Sequence, residues 1–177
     1  MKKLTRSFFL QDTDEVARQL LGKMMVMQNN DKTFKAIITE TESYHGADPA
    51  SHGARKRSNR NEPMFWQGGH LYVYLIYGMY FCLNVTTQKP DYPAAVLIRG
   101  IKIIEPEARL LDGPGKLCRY LGINKNFDRL DFCAAANHKK FSLFDIGLKP
   151  NFNATKRIGI TQNKDALLRF LVSDYDL

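Results

Sequence analysis

The chain has 177 residues, 44% of them hydrophobic and 25% charged, and its 26 lysines and arginines against 18 aspartates and glutamates give a formal charge of +8. This length suits one domain with a sizeable core, and the composition is that of an ordinary soluble globular protein, with no apolar tract long enough to cross a bilayer. The charge favours a polyanionic partner such as nucleic acid over an acidic small molecule, while three cysteines without C-x-x-C spacing and four histidines without an H-x-x-x-H pair argue against a zinc or redox centre.

The start, MKKLTRSFFLQDTDE, has an apolar run of only Phe8 to Leu10 before acids follow, so it does not read as a signal peptide. With cysteines read as reduced thiols, the expected location is the cytoplasm. Asp12 can cap a helix, with Glu15 three residues later and Val16, Leu20 and Leu21 on one face; this helix should run to about Leu21.

Met24 to Gln28 and Phe34 to Ser43 read as strands joined by a polar turn at Asn29-Asn30-Asp31-Lys32. Simple alternation puts Glu40 and Glu42 on the same face as Ile38. From Gly46 to Gly69 the pattern dissolves into a long basic loop with Arg55, Lys56, Arg57 and Arg60, partly anchored by His52, Met64, Phe65 and Trp66.

Residues 71–84, LYVYLIYGMYFCLN, hold four tyrosines and divide at Gly78 into two strand-length halves, which predicts a hairpin with its tip near Tyr77-Gly78. Tyr72 and Tyr74 share a face, and Tyr77 falls on the other face or at the tip. Ala94 to Ile104 is a nearly continuous apolar strand interrupted by Arg99 and Lys102. Pro106 and Pro114 predict two short helices, through Ala108–Leu111 and Leu117–Leu121, followed by Gly113 and Gly122. The remainder reads as short strands and loops. The class is α+β: one domain over residues 1–177, with a curved, mainly antiparallel sheet, peripheral helices and a protruding hairpin.

Glu42 closes a strand where the chain turns into a loop, a place where a carboxylate can activate water. With aromatic rings, a basic loop and an exposed hairpin tip, it suits work on a nucleobase: a base leaving a duplex must be held by flat walls, and the gap it leaves must be filled.

These residues resemble the alkyladenine (3-methylpurine) DNA glycosylases. The resemblance runs in order through FFLQDTDEVARQLLGK, ITETESYHGADPASH, MFWQGGHLYVYLIYGMYFCLNV, AAVLIRGIKIIEP, GPGKLCRYLGINKNFD, KRIGI and LRF. It implies a monofunctional enzyme that removes alkylated or deaminated purines from double-stranded DNA, as a monomer and without a cofactor or metal. Glu42 then matches the glutamate that activates water, and Arg99 the arginine beside that water and the sugar-phosphate. Tyr44, His52 and Tyr74 match the walls of the base pocket. Asn84 matches the residue that crowds the 2-amino group of guanine, and Tyr77 the wedge that fills the vacated space.

On this reading Tyr72 and Tyr80 serve packing, and Arg55, Lys56, Arg57, Arg60, Lys116, Arg119 and Lys125 meet phosphates. No lysine matches a Schiff-base nucleophile; Lys35 is a candidate by proximity only. Leu167 stands where relatives often have proline, and the end VSDYDL lacks their serine-rich finish. Three other readings of the residues stay open: a damaged-DNA-binding module without chemistry, an enzyme on free nucleosides, and an RNA-binding protein.

Overall fold

The structure, a computed structural model, describes residues 1–174; the last three residues of the VSDYDL finish lie outside them. In chain order the elements are β1 (Lys2–Lys3), α1 (Arg6–Phe9), α2 (Thr13–Gln19), β2 (Met24–Asn29), β3 (Lys32–His45), β4 (Leu71–Ile76), β5 (Tyr80–Thr86), β6 (Ala94–Glu105), β7 (Arg109–Asp112), α3 (Pro114–Leu121), β8 (Phe141–Asp145), β9 (Phe152–Thr155) and β10 (Arg169–Val172). The ten strands of the described residues join one antiparallel sheet, ordered β1-β8-β2-β3-β6-β5-β4, with β7 added to β6 and the pair β9 and β10 added to β3. No helix among the described residues is long and apolar enough to cross a membrane.

The Asp12 side chain accepts from the N–H groups of Asp14 and Glu15, so α2 begins where its cap predicts. Val16, Ala17 and Leu20 then pack on one face of the sheet against Ala36, Ile38, Val96 and Ile98. Leu117, Cys118 and Leu121 of α3 extend the same core. The opposite face carries a smaller cluster of Met64, Tyr72 and Ala95, against which Tyr44, Phe65 and Tyr74 pack.

β3 and β6 are the two longest strands and form the spine of the sheet. Their register shifts once near the start of β3, between Lys35 and Ala36, and again beside the acids: Ile38 pairs with Ile101, Glu40 with Gly100 and Thr41 with Ile98, leaving Thr39 and Arg99 without opposite numbers. These paired bulges exchange the faces of both strands. Ile38 lies in the main core, yet three residues later Thr41 donates its hydroxyl to Ala17 of α2 on that same side. Glu40 and Glu42 therefore point to the face opposite Ile38, which corrects the simple alternation. Gly100 permits the close approach, since a Cβ there would lie 2.8 Å from Cβ of Glu40 and 2.9 Å from Oγ1 of Thr39.

A second correction concerns Ala108–Leu111. This segment is not a helix; Arg109–Asp112 is a strand whose residues pair with Gly100–Ile103 of β6. Leu111 is buried and Leu110 exposed, the alternation of a half-buried strand. The predicted helix near Leu117 is present as α3, and Gly122 closes it in the left-handed conformation.

Candidate active site

The hairpin of β4 and β5 has its tip where sequence places it. Tyr77 (φ 53°) and Gly78 (φ 69°) are both left-handed, and Met79 N–H closes the turn on the Ile76 carbonyl at 3.2 Å. Below the tip, strand alternation sends Leu71 and Val73 into the main core and Tyr72 and Tyr74 to the other face. The basic loop folds over that face as two 3-10 turns, His52–Ala54 and Glu62–Phe65. Buried Asn61 ties them together: its amide nitrogen donates to the His52 carbonyl at 2.9 Å and its oxygen accepts from Ser58 N–H at 2.7 Å.

Between loop, hairpin and sheet lies a cavity of about 980 Å³. Glu42, Tyr44, His52, Tyr74, Tyr77, Asn84 and Arg99 all line it, so the structure brings together the side chains that sequence matches to catalysis, the base pocket and the wedge.

Glu42 is fully buried. Its Oε2 accepts from the Tyr44 hydroxyl at 2.7 Å and its Oε1 accepts from the backbone N–H of Ile158 at 2.9 Å, with Arg99 Nε at 3.5 Å from Oε1. Burial raises the carboxyl above its ordinary range; Arg99, the Ile158 N–H and the Tyr44 hydroxyl oppose that rise, and the negative charge of Glu40 adds to it. Burial and the Glu42 charge push the Tyr44 phenol upward, so Tyr44 keeps its proton and serves as a donor.

His52 lies edge-on to Tyr74, ring centroids 4.7 Å apart, and its Nδ1 is 2.9 Å from the Tyr72 hydroxyl. Its pKa is lowered by burial and by the positive charges of Arg60 and Arg55, which keeps the ring neutral at neutral pH. The Asn84 amide nitrogen donates to the carbonyls of Tyr72 (3.0 Å) and Cys82 (3.3 Å), which fixes this buried side chain at the floor. Tyr77, 78% exposed, projects from the rim.

Tyr72 is buried, as a packing residue should be, and also holds His52. Tyr80 is not simply a packing residue: its ring lies under the Arg119 guanidinium, faces Gly115 at the start of α3 and borders the cavity. Of the basic residues, Arg55, Lys116 and Arg119 line the cavity, Lys116 with its amine on Asp112 at 2.7 Å, whereas Arg57 is engaged by Glu62 and Asp91 and Lys125 by Asp128. Lys35 bonds Glu105 at the far end of β3 from Glu42, so its amine is no part of the site.

Several lining or supporting residues were not anticipated. Glu40 receives the Nε of both Arg99 and Arg169. Arg157, fully buried, lies 4.6 Å over the Tyr44 ring and donates to the carbonyl of Ser43 and to Asp48. Neither residue has a periodicity or spacing that marks it; the KRIGI segment, part of the resemblance, is the only signal that points toward Arg157 and Ile158.

The chain belongs to the methylpurine-DNA glycosylase family, whose model matches residues 7–176. That makes it a DNA glycosylase by family, a hydrolase with DNA as substrate. Among relatives, a protein of Rickettsia felis is 51% identical over 172 residues, covering 97% of this chain and 93% of its own length. One from Rickettsia rickettsii (strain Sheila Smith) is also 51% identical over 172 residues, covering 97% of this chain and 90% of its own. One from Rickettsia typhi is 40% identical, covering 97% and 92%. All three carry the name "Putative 3-methyladenine DNA glycosylase".

Proposed function

We propose that this protein removes 3-methyladenine and related alkylated purines, and deaminated purines such as hypoxanthine, from duplex DNA by rotating the damaged nucleotide into the cavity and hydrolysing its N-glycosidic bond. The observation that carries this reading is Glu42: a buried, oriented carboxylate at the bottom of an aromatic-walled cavity whose rim bears an exposed tyrosine on a hairpin tip.

In the reaction, water held by Glu42 attacks C1′ of the deoxyribose. Its proton passes to the carboxylate, the C1′–N bond breaks, and the bonding pair leaves with the base. Arg99, 3.5 Å from Glu42, binds the water or the adjoining sugar-phosphate. Tyr44 on one side, and Tyr74 with His52 on the other, hold the ring, while Asn84 crowds the exocyclic amine of ordinary guanine. Tyr77 enters the space left in the helix, and cavity-lining Arg55, Lys116 and Arg119 meet phosphates.

Bases methylated at N3 or N7 are cationic, so they leave readily and gain about 0.5–2 kcal/mol over a tyrosine face. A neutral base such as hypoxanthine needs a proton to leave. His52 is a poor source at neutral pH because burial and the nearby arginines keep it unprotonated. The site is complete within one chain, which supports action as a monomer; the expected place of work is the cytoplasm, without a cofactor. Release without strand cleavage follows if water is the nucleophile, and borohydride should then trap no protein–DNA imine.

The test is single-turnover excision of hypoxanthine, and in parallel of 7-methylguanine, from duplex oligonucleotides by wild type and Glu42→Gln. Release abolished in the variant while it still binds DNA supports the reading. Full release by Glu42→Gln, or none from either lesion by folded wild type, overturns it. In the second case a damage-binding module without chemistry takes its place.

A further inference from the structure

We infer that Glu40 is a positioning residue for catalysis, which draws Arg99 to itself and so keeps the guanidinium from closing on Glu42. The inference rests on the reading of Glu42 as the base that activates water.

The distances order the pairing. Arg99 Nε is 3.1 Å from Oε1 of Glu40, within hydrogen-bond range, and 3.5 Å from Oε1 of Glu42, at its outer limit. Glu40 is only 7% exposed and also accepts from Nε of Arg169 on β10. The result is a chain of alternating charge, Arg169, Glu40, Arg99, Glu42, supplied by three strands.

This arrangement has a chemical purpose. A carboxylate in a close pair with an arginine is stabilised as the anion, its pKa falling by roughly 1–3 units, and it takes protons poorly. A buried carboxylate with no cation nearby stays protonated and cannot act as a base at all. Glu40 sets the balance between these extremes. It holds the guanidinium slightly away from Glu42, and its own charge opposes ionisation there. Arg169 in turn neutralises Glu40, whose burial would otherwise be costly.

The backbone shows how the chain is made to do this. In an unbroken strand Glu40 and Glu42 would face the main core beside Ile38. The bulges at Thr39 and Arg99 turn both acids to the cavity side and put Arg99 at the same level, with Gly100 leaving room for Glu40 to pass.

The experiment compares full-length wild type, Glu42→Gln, Glu40→Gln and Arg169→Gln for single-turnover release of 7-methylguanine from duplex DNA as a function of pH. This base is already cationic in the nucleotide and leaves as a neutral molecule without taking up a proton, so the acid limb of the profile reports the carboxylate base and not protonation of the leaving group. Glu40→Gln should lower the plateau rate about tenfold with DNA affinity unchanged, and should move the acid limb down by about one pH unit. Arg169→Gln should move that limb the other way, because it unmasks the Glu40 charge.

Profiles of both variants that superimpose on an active wild type overturn the inference and leave the proposed function standing. If Glu40→Gln does not fold, Arg169→Gln decides: an upward shift supports the inference and no shift overturns it. A folded wild type that releases no base, or a fully active Glu42→Gln, overturns the base-excision reading and this inference with it.

Discussion

The backbone N–H of Ile158 donates to Oε1 of Glu42 at 2.9 Å across 116 positions of sequence. Glu42 thus takes one hydrogen bond from the loop before β10 and another, on its other oxygen, from the Tyr44 hydroxyl two residues along its own strand. The two donors hold the carboxylate in place and limit the rise in pKa that burial imposes. Tyr44→Phe removes one of them. Its acid limb for 7-methylguanine release should move to higher pH by up to about one unit, the size of a hydrogen bond of ~1–1.5 kcal/mol. In the wild type the limb should already lie above the ordinary glutamate range. A pH–rate profile for the two proteins checks both points.

A change at Tyr77 is the means to test function apart from stability. Its ring is largely exposed and its backbone is left-handed, a conformation that disfavours any side chain. Tyr77→Gly should leave the fold unchanged or make it more stable by about 1 kcal/mol, yet lower excision from duplex DNA at least tenfold, with less effect on a single strand that has no gap to fill. Urea denaturation and single-turnover assays on the two substrates measure this.

Gly100→Ala tests the bulge. The added Cβ would fall 2.8 Å from Cβ of Glu40, too close to be accommodated without moving β3 or β6. A loss of about 1–3 kcal/mol in stability is expected, together with a fall in activity as Glu40 and Arg99 shift. Unfolding midpoints and excision rates should fall together.

Asp14 and His45 join α2 to the end of β3 with Nε2 and Oδ1 3.2 Å apart. This close contact with Asp14 leads in raising His45, and the same contact leads in lowering Asp14. A raised histidine stabilises the fold fully below its unfolded pKa and loses that contribution as pH rises through the folded value. The lowered aspartate contributes above its unfolded pKa and loses that contribution as pH falls through its own folded value. The pair should therefore be worth most in mildly acid solution. His45→Gln should cost about 0.5–1 kcal/mol there and less in alkaline solution, as urea titrations at the two pH values would show.

Much of this molecule is legible from its residues because local chemistry and global position agree. Asp12 caps α2, Tyr77-Gly78 turns the hairpin, and the aromatic alternation in β4 puts Tyr72 and Tyr74 together. Ala108–Leu111 misleads because Pro-Glu-Ala-Arg-Leu-Leu has good helix-forming residues, while its strand conformation comes from pairing with β6, a partner that propensity does not see. The face of Glu42 is misread for a related reason. In Ile-Thr-Glu-Thr-Glu the polar residues alternate regularly, and nothing in that run marks Thr39 as the position that drops out of register. Glu40 is missed because a second acid on a polar run carries no meaning until Arg99 and Arg169 arrive from other strands.

The order of the chain bears on when such an enzyme comes into existence. Glu42 lies in the first quarter of the sequence, its arginine on β6, its backbone donor near the end and the neighbour of Glu40 later still, on β10. A polypeptide still leaving the ribosome has its carboxylate and tyrosines but lacks the groups that aim and tune them. On the proposed mechanism, competence to release a base arrives only when β10 is added to β3, so an unfinished copy leaves the bases of the genome in place.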